Sequence, residues 1–174
     1  ITFKRSLRGI AIAMALVLAI FPLFVLGAPL YWHLGSLLKA AGHGDLVRTV
    51  GTLYSACGLV WPDRYWDVAM GHLVLVALPE EFFYRGYLQS ALDELLPQRT
   101  RLLGTAVGWS LLIQAALFAL GHFAVDVNPA RLGVFFPALA FGWLRARTGT
   151  IAGPILFHAL CNILMDLLLA GCNP

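Results

Sequence analysis

The sequence predicts an all-α protein, a polytopic bundle of transmembrane helices with five spans and room for a sixth, on three observations. Of 174 residues, 60% are hydrophobic and only 12% are charged, whereas a soluble domain carries about 25% charge. The apolar residues fall into runs, most of them long enough to approach the roughly 30 Å of a hydrocarbon core at about 1.5 Å per residue. The connectors between the later runs, DELLPQRTR, DVNPAR and RARTGT, hold turn formers and charge.

Lys4, Arg5 and Arg8 precede an apolar run from Gly9 to about Tyr31 that no small-residue cleavage site closes. It reads as a retained first span with a cytoplasmic N-terminus. His33 to Asp67 is a looser stretch with a glycine-rich turn at Gly42 to Gly44. Within it, Leu46 to Trp61 is apolar but short and carries Arg48, which suits a helix lying along the interface with Trp61, Tyr65 and Trp66 as anchors.

Four more spans are expected over Val68 to about Leu92, Leu102 to Val125, Leu132 to Leu144 and Ile151 to Ala170. Five spans place Lys4, Arg5, Arg8, Arg99, Arg101, Arg145 and Arg147 on the cytoplasmic side, against Lys39, Arg48, Arg64 and Arg131 outside. A sixth span at Leu46 to Trp61 would send Arg99, Arg101, Arg145 and Arg147 outside, so the distribution of basic residues prefers five. The chain divides into residues 1–67, the first span with its interfacial loop or helix, and residues 68–174, a helical membrane core. The net charge of +3 belongs to these topology-setting clusters and gives no case for nucleic acid. Cys57, Cys161 and Cys172 are odd in number and form no C-x-x-C pair, so they read as small apolar residues without a disulfide framework.

Chemistry enters at Leu73 to Leu92, LVLVALPEEFFYRGYLQSAL. An ionised carboxylate at bilayer depth costs about 2.5 to 3.5 kcal/mol even on lenient insertion scales. Glu81 and Arg85 are four apart and lie on one helical face, where they can pair. Glu80 points about 100° away from Glu81 on an ideal helix and has no partner on its own helix, while Pro79 loosens the backbone ladder just before the pair.

Two later spans carry polar groups as well. Phe118 and His122 stand one turn apart in FALGHF, and His158 and Asn162 one turn apart in FHALCN. Hydrocarbon offers no water, so such groups pair with one another or line a wet cavity. Glu80 and His158 fall at matching depths in antiparallel spans, whereas His122 lies near the end of its own. A carboxylate and a histidine sharing a water can deprotonate it for attack on a carbonyl, and a second histidine beside an amide can hold the oxyanion. Glu80, His122 and His158 are also a zinc-ligand set that leaves one position open for water, although no H-E-x-x-H is present.

In order, E-E-x-x-x-R, F-x-x-x-H and H-x-x-x-N resemble the motifs of the CAAX protease and bacteriocin-processing family of intramembrane endopeptidases. The likeness covers about Val68 to Ala170. It implies a membrane-embedded helical core in which Glu80 and His122 activate water, His158 and Asn162 steady the tetrahedral intermediate, and Arg85 helps to place Glu80 and Glu81. Family usage includes metal-dependent and glutamate-type descriptions. The metal-free glutamate version, with no cofactor, gives Asn162 a role; zinc remains the alternative. The implied substrates are membrane-associated proteins or peptides, from prenylated CAAX proteins to bacteriocin-related peptides and C-terminal sorting tags. The chain is short for the family, which leaves a place for an accessory membrane partner. The basic N-terminus and compact spans suggest a bacterial inner membrane.

Two other readings compete. Gly108-Trp109-Ser110 begins a G-x-S pattern with His158 as a base, in the manner of a rhomboid-like serine protease, but Leu111 stands where that family has glycine. A non-enzymatic scaffold or transporter subunit would use the same polar groups to join helices or bind cargo.

Overall fold

A computed structural model describes residues 3–40, 59–61, 63–98 and 100–171. The first helix, α1, runs over Phe3–Ala40, and its part Phe3–Gly27 is long and apolar enough to cross a membrane. Lys4, Arg5 and Arg8 are exposed at its start. The Gly42 to Gly44 turn, Cys57, Cys172 and most of the interfacial helix or sixth span expected at Leu46 to Trp61 lie outside the described residues. Beyond that gap, Trp61, Tyr65 and Trp66 form a chain of edge-on ring contacts at 4.8 and 5.3 Å.

Residues 65–95 form one helical run, α2, whose pitch changes along its length. Tyr65–Met70, Leu78–Glu81 and Gln89–Leu95 are α-helical, and the intervening Gly71–Ala77 and Phe82–Leu88 are π-helical. Pro79 has no N–H and its ring crowds the preceding turn, so a widened turn before it relieves the conflict without ending the helix. The short segment that carries Glu80 and Glu81 is therefore bracketed by two wide turns.

The expected span from Leu102 needs correction. Thr100–Leu102 (β1) and Thr105–Val107 (β2) pair as an antiparallel hairpin in which Leu102 faces Thr105. The two-residue turn has Leu103 at φ 48° and Gly104 at φ 76°, the left-handed pair that a tight hairpin needs. Trp143 Nε1 donates to the Leu102 carbonyl at 3.0 Å, and Arg147 Nη1 to that of Gly104 at 3.1 Å. Among the described residues the fold is thus mostly helical with one small β-ribbon, and α3 starts only at Trp109, running over Trp109–Asp126.

A 3₁₀ turn, Pro129–Val134, leads into α4, Phe135–Thr148, and α5 occupies Ala152–Gly171. Helix α4 begins later and ends later than the expected Leu132 to Leu144, because Arg145 and Arg147 continue the helix as far as the left-handed Gly149 at φ 69°. The apolar stretches of α3 and α5, Trp109–Val125 and Ala152–Leu168, are shorter than that of α1.

Helices α1 and α5 meet through glycine. A Cβ on Gly153 would lie 2.6 Å from the Gly9 carbonyl oxygen, so the backbones approach as small-residue membrane interfaces allow. Ala13, Phe141, Leu144 and Phe157 form the core where α1, α4 and α5 converge. Within a bilayer such contacts stabilise by close packing, since lipid tails are as apolar as the side chains.

Candidate active site

Four residues of α2 at intervals of four, Glu81, Arg85, Gln89 and Asp93, form a polar row facing α4 and α5. Glu81 and Arg85 are fully buried and bonded at 2.6 Å through Glu81 Oε1 and Arg85 Nη1. The guanidinium also donates from Nη2 to the Ala138 carbonyl at 3.3 Å. Its carbon sits 4.5 Å from the Phe118 ring centre and 5.1 Å from that of Phe141, so aromatic faces supply the attraction that water would supply elsewhere. Gln89 donates to the Gly142 carbonyl at 3.0 Å, and Gln114 of α3 reaches the Ala138 carbonyl at 3.2 Å. These buried amides take up backbone carbonyls beside the ion pair.

His158 of α5 enters the same group. Its Nδ1 lies 2.8 Å from Glu81 Oε1, the oxygen that Arg85 also occupies. The ring stacks on Phe141 with centres 4.9 Å apart. Nε2 then faces Glu80, 3.8 Å from Oε2, an oxygen that is itself buried and has no hydrogen-bond partner among the described residues. The Glu80 side chain is 31% accessible, against 0% for Glu81 and 4% for His158. Glu80 is the open carboxylate and Glu81 the closed one. Arg85 places one positive charge against Glu81.

His122 stands apart. Its Nδ1 is 3.0 Å from the Phe118 carbonyl. A carbonyl only accepts, so Nδ1 bears the proton and Nε2 holds the lone pair of the neutral ring. The Phe118 ring lies 4.4 Å from the His122 ring and 5.7 Å from that of His158, which makes Phe118 the spacer between the histidines. Asn162 follows His158 by one turn and is half-buried, with no hydrogen bond to His158 among the described residues. Glu80, Glu81, Arg85 and His158 are thus brought together, whereas His122 and Asn162 flank them.

Two sequence-level alternatives change. Ser110 is 1% exposed and donates to Asp93 Oδ1, while Gln98 Nε2 donates to Ser110 at 3.1 Å. Its hydroxyl is committed to a polar knot that also holds Arg145, bonded to Asp93 and, at 2.6 Å, to Ser90, and it makes no pair with His158. As a zinc set, Glu80, His122 and His158 do not fit. Among the described residues no three His, Cys, Asp or Glu side chains are grouped to hold a metal ion.

Sequence reasoning missed several neighbours. Gln89 and Asp93 continue the spacing of four that had singled out Glu81 and Arg85, so that signal was present. His72 and Asp166, bonded at 2.6 Å, join α2 to α5 beyond the glutamates; nothing in the sequence announced which helices adjoin. Tyr84 lies edge-on to Phe118 with centres 5.0 Å apart.

No curated protein and no solved structure matches the chain. The sequence model of the type II CAAX prenyl endopeptidase Rce1-like family matches residues 61–164, a stretch that contains Glu80, Glu81, Arg85, His122, His158 and Asn162. With the apolar helix α1, this match makes the molecule an integral membrane protein, and the chain belongs to the Rce1-like family of type II CAAX prenyl endopeptidases.

Proposed function

We propose that the chain is a glutamate-type intramembrane endopeptidase that hydrolyses a peptide bond near the C-terminus or membrane anchor of a membrane-associated protein. The observation that carries this reading is the juxtaposition of a partly accessible Glu80 with the Nε2 face of His158, whose other nitrogen is held by Glu81. Glu80, with His122, takes a proton from water as the water oxygen bonds to the scissile carbonyl carbon. The carbonyl oxygen becomes an oxyanion that His158 Nε2–H and the Asn162 amide stabilise by donating hydrogen bonds. Collapse restores the C=O bond and breaks C–N, and the proton held by Glu80 passes to the departing amine. Arg85 touches no reacting atom; it keeps Glu81 charged and in place. On this reading the N-terminus is cytoplasmic and five spans cross a bacterial inner membrane.

The test is cleavage of a model C-terminal peptide or membrane-anchored tag by the purified protein in detergent. Glu80→Gln and His158→Ala are expected to abolish turnover while the helical content is kept. Undiminished turnover in Glu80→Gln would overturn the reading in favour of a non-catalytic scaffold, and a requirement for Ser110 would replace it with a serine mechanism.

A further inference from the structure

Beside the water-activating and oxyanion-holding set stands a phenol that the mechanism leaves without a part. Tyr84 lies four residues after Glu80 on α2, so the two side chains project from adjacent turns of one face. Its ring is fixed edge-on between Phe118 and Phe83, each with centres 5.0 Å away and interplanar angles of 81° and 88°. The phenol oxygen is thereby carried across to α3, where it rests over Gly121, the residue before His122. A Cβ built on Gly121 would lie 2.9 Å from this oxygen, closer than any side chain tolerates without displacement. The side chain is half-buried, and its O–H has no acceptor among the described residues. A half-buried phenol usually finds a hydrogen-bond partner, and inside a bilayer few groups are available to serve as one.

We propose that the Tyr84 hydroxyl is a further catalytic residue, a neutral donor held against Gly121 that hydrogen-bonds the substrate carbonyl oxygen as it becomes the oxyanion. This inference rests on the hydrolytic reading given above. A neutral donor suits the position, because a second cation beside Arg85 would compete for the glutamates, whereas an O–H strengthens its bond only as charge develops on the substrate. Gly121 is the positioning residue, since only a missing side chain leaves space for the phenol oxygen at that point.

The experiment measures kcat and KM of the purified full chain on one membrane-anchored peptide for Tyr84→Phe, Gly121→Ala, the double variant and Glu80→Gln. Tyr84→Phe removes a single oxygen and keeps the ring packing, so its unfolding in detergent is expected to match the parent. Loss of one oxyanion donor lowers kcat by about 100-fold in well-formed sites; here at least a tenfold fall is expected, with KM within about twofold. Gly121→Ala is expected to lower kcat in the parent and to add nothing in the Tyr84→Phe background, because the atom it displaces is already gone. Parental kcat in Tyr84→Phe, or an equal Gly121→Ala effect in both backgrounds, overturns the proposal. Glu80→Gln separates the two failures. If it abolishes turnover while Tyr84→Phe does not, the tyrosine role alone falls; if it leaves turnover intact, the hydrolytic reading falls as well.

Discussion

Glu81 and His158, 77 positions apart in the chain, share a 2.8 Å hydrogen bond on the same carboxylate oxygen that Arg85 reaches at 2.6 Å. The adjacent glutamates consequently have different duties. One is enclosed and fully bonded on that oxygen, and the other is partly accessible, with the His158 ring nitrogen 3.8 Å away.

Glu80→Gln and Glu81→Ala are therefore expected to fail differently. Glu80→Gln abolishes turnover with little loss of stability, because its side chain is partly accessible and unpaired within α2. Glu81→Ala leaves Arg85 charged and enclosed, and breaking a buried pair from one side costs about 3 to 5 kcal/mol. Detergent-induced unfolding followed by circular dichroism, measured beside turnover, distinguishes the two.

Arg85→Met alone is expected to destabilise by a similar amount, while Glu81→Leu combined with Arg85→Met recovers most of it, since apolar replacement of both partners is often neutral. Activity does not recover in the double variant, because His158 loses the acceptor that orients its ring. Unfolding midpoints and kcat taken on Arg85→Met, Glu81→Leu and the double variant check this, and equal stability of single and double variants would count against it.

Ser110→Ala is expected to leave kcat within about twofold and to lower stability by about 1 kcal/mol, the net worth of a typical hydrogen bond. The hydroxyl serves the Asp93 and Gln98 knot where α2, α3 and α4 adjoin. Steady-state rates and a melt in the same detergent provide the measurement.

Chelation is expected to leave turnover unchanged, because Glu80, His122 and His158 do not converge as a ligand set. Preincubation with a strong zinc chelator, paired with metal analysis of the purified protein, is the check. Loss of activity that stoichiometric zinc restores would reverse the expectation.

Gly142→Ala is expected to destabilise by about 1 to 3 kcal/mol, the usual cost of overpacking. A Cβ there would stand 2.5 Å from Gln114 Nε2 and 2.6 Å from Leu111 Cδ1. Thermal unfolding of this variant reports how rigidly the amides beside Arg85 are held.

The site was legible where its logic is local. A spacing of four announced Glu81 with Arg85, and the cost of charge at bilayer depth singled out Glu80. The hold of Glu81 on His158 was not legible, because it depends on which helices adjoin and to which side each ring turns. Depth reckoning did flag His122 as the outlier, and it sits across the Phe118 ring from His158. The hairpin was missed because Leu102 and Leu103 read as the start of an apolar run. The decisive cue was the Leu103-Gly104 turn, with β-branched Thr105 following it and Thr100 and Val107 paired at the open end of the hairpin. Helix α4 was cut short because Arg145 looked like a connector residue, although Asp93 and Ser90 draw it back into the bundle.

The contact between His72 and Asp166 acts as a second pin through the plates that Glu81 and His158 already bolt together. With two pins at different heights, α5 can neither slide along α2 nor rock against it without withdrawing both. A slip of a single turn, about 5.4 Å, would separate each imidazole from its carboxylate at once. The vertical alignment of His158 with Glu80 is thereby locked from a distance, and wear at the far pin would be felt as misalignment at the near one.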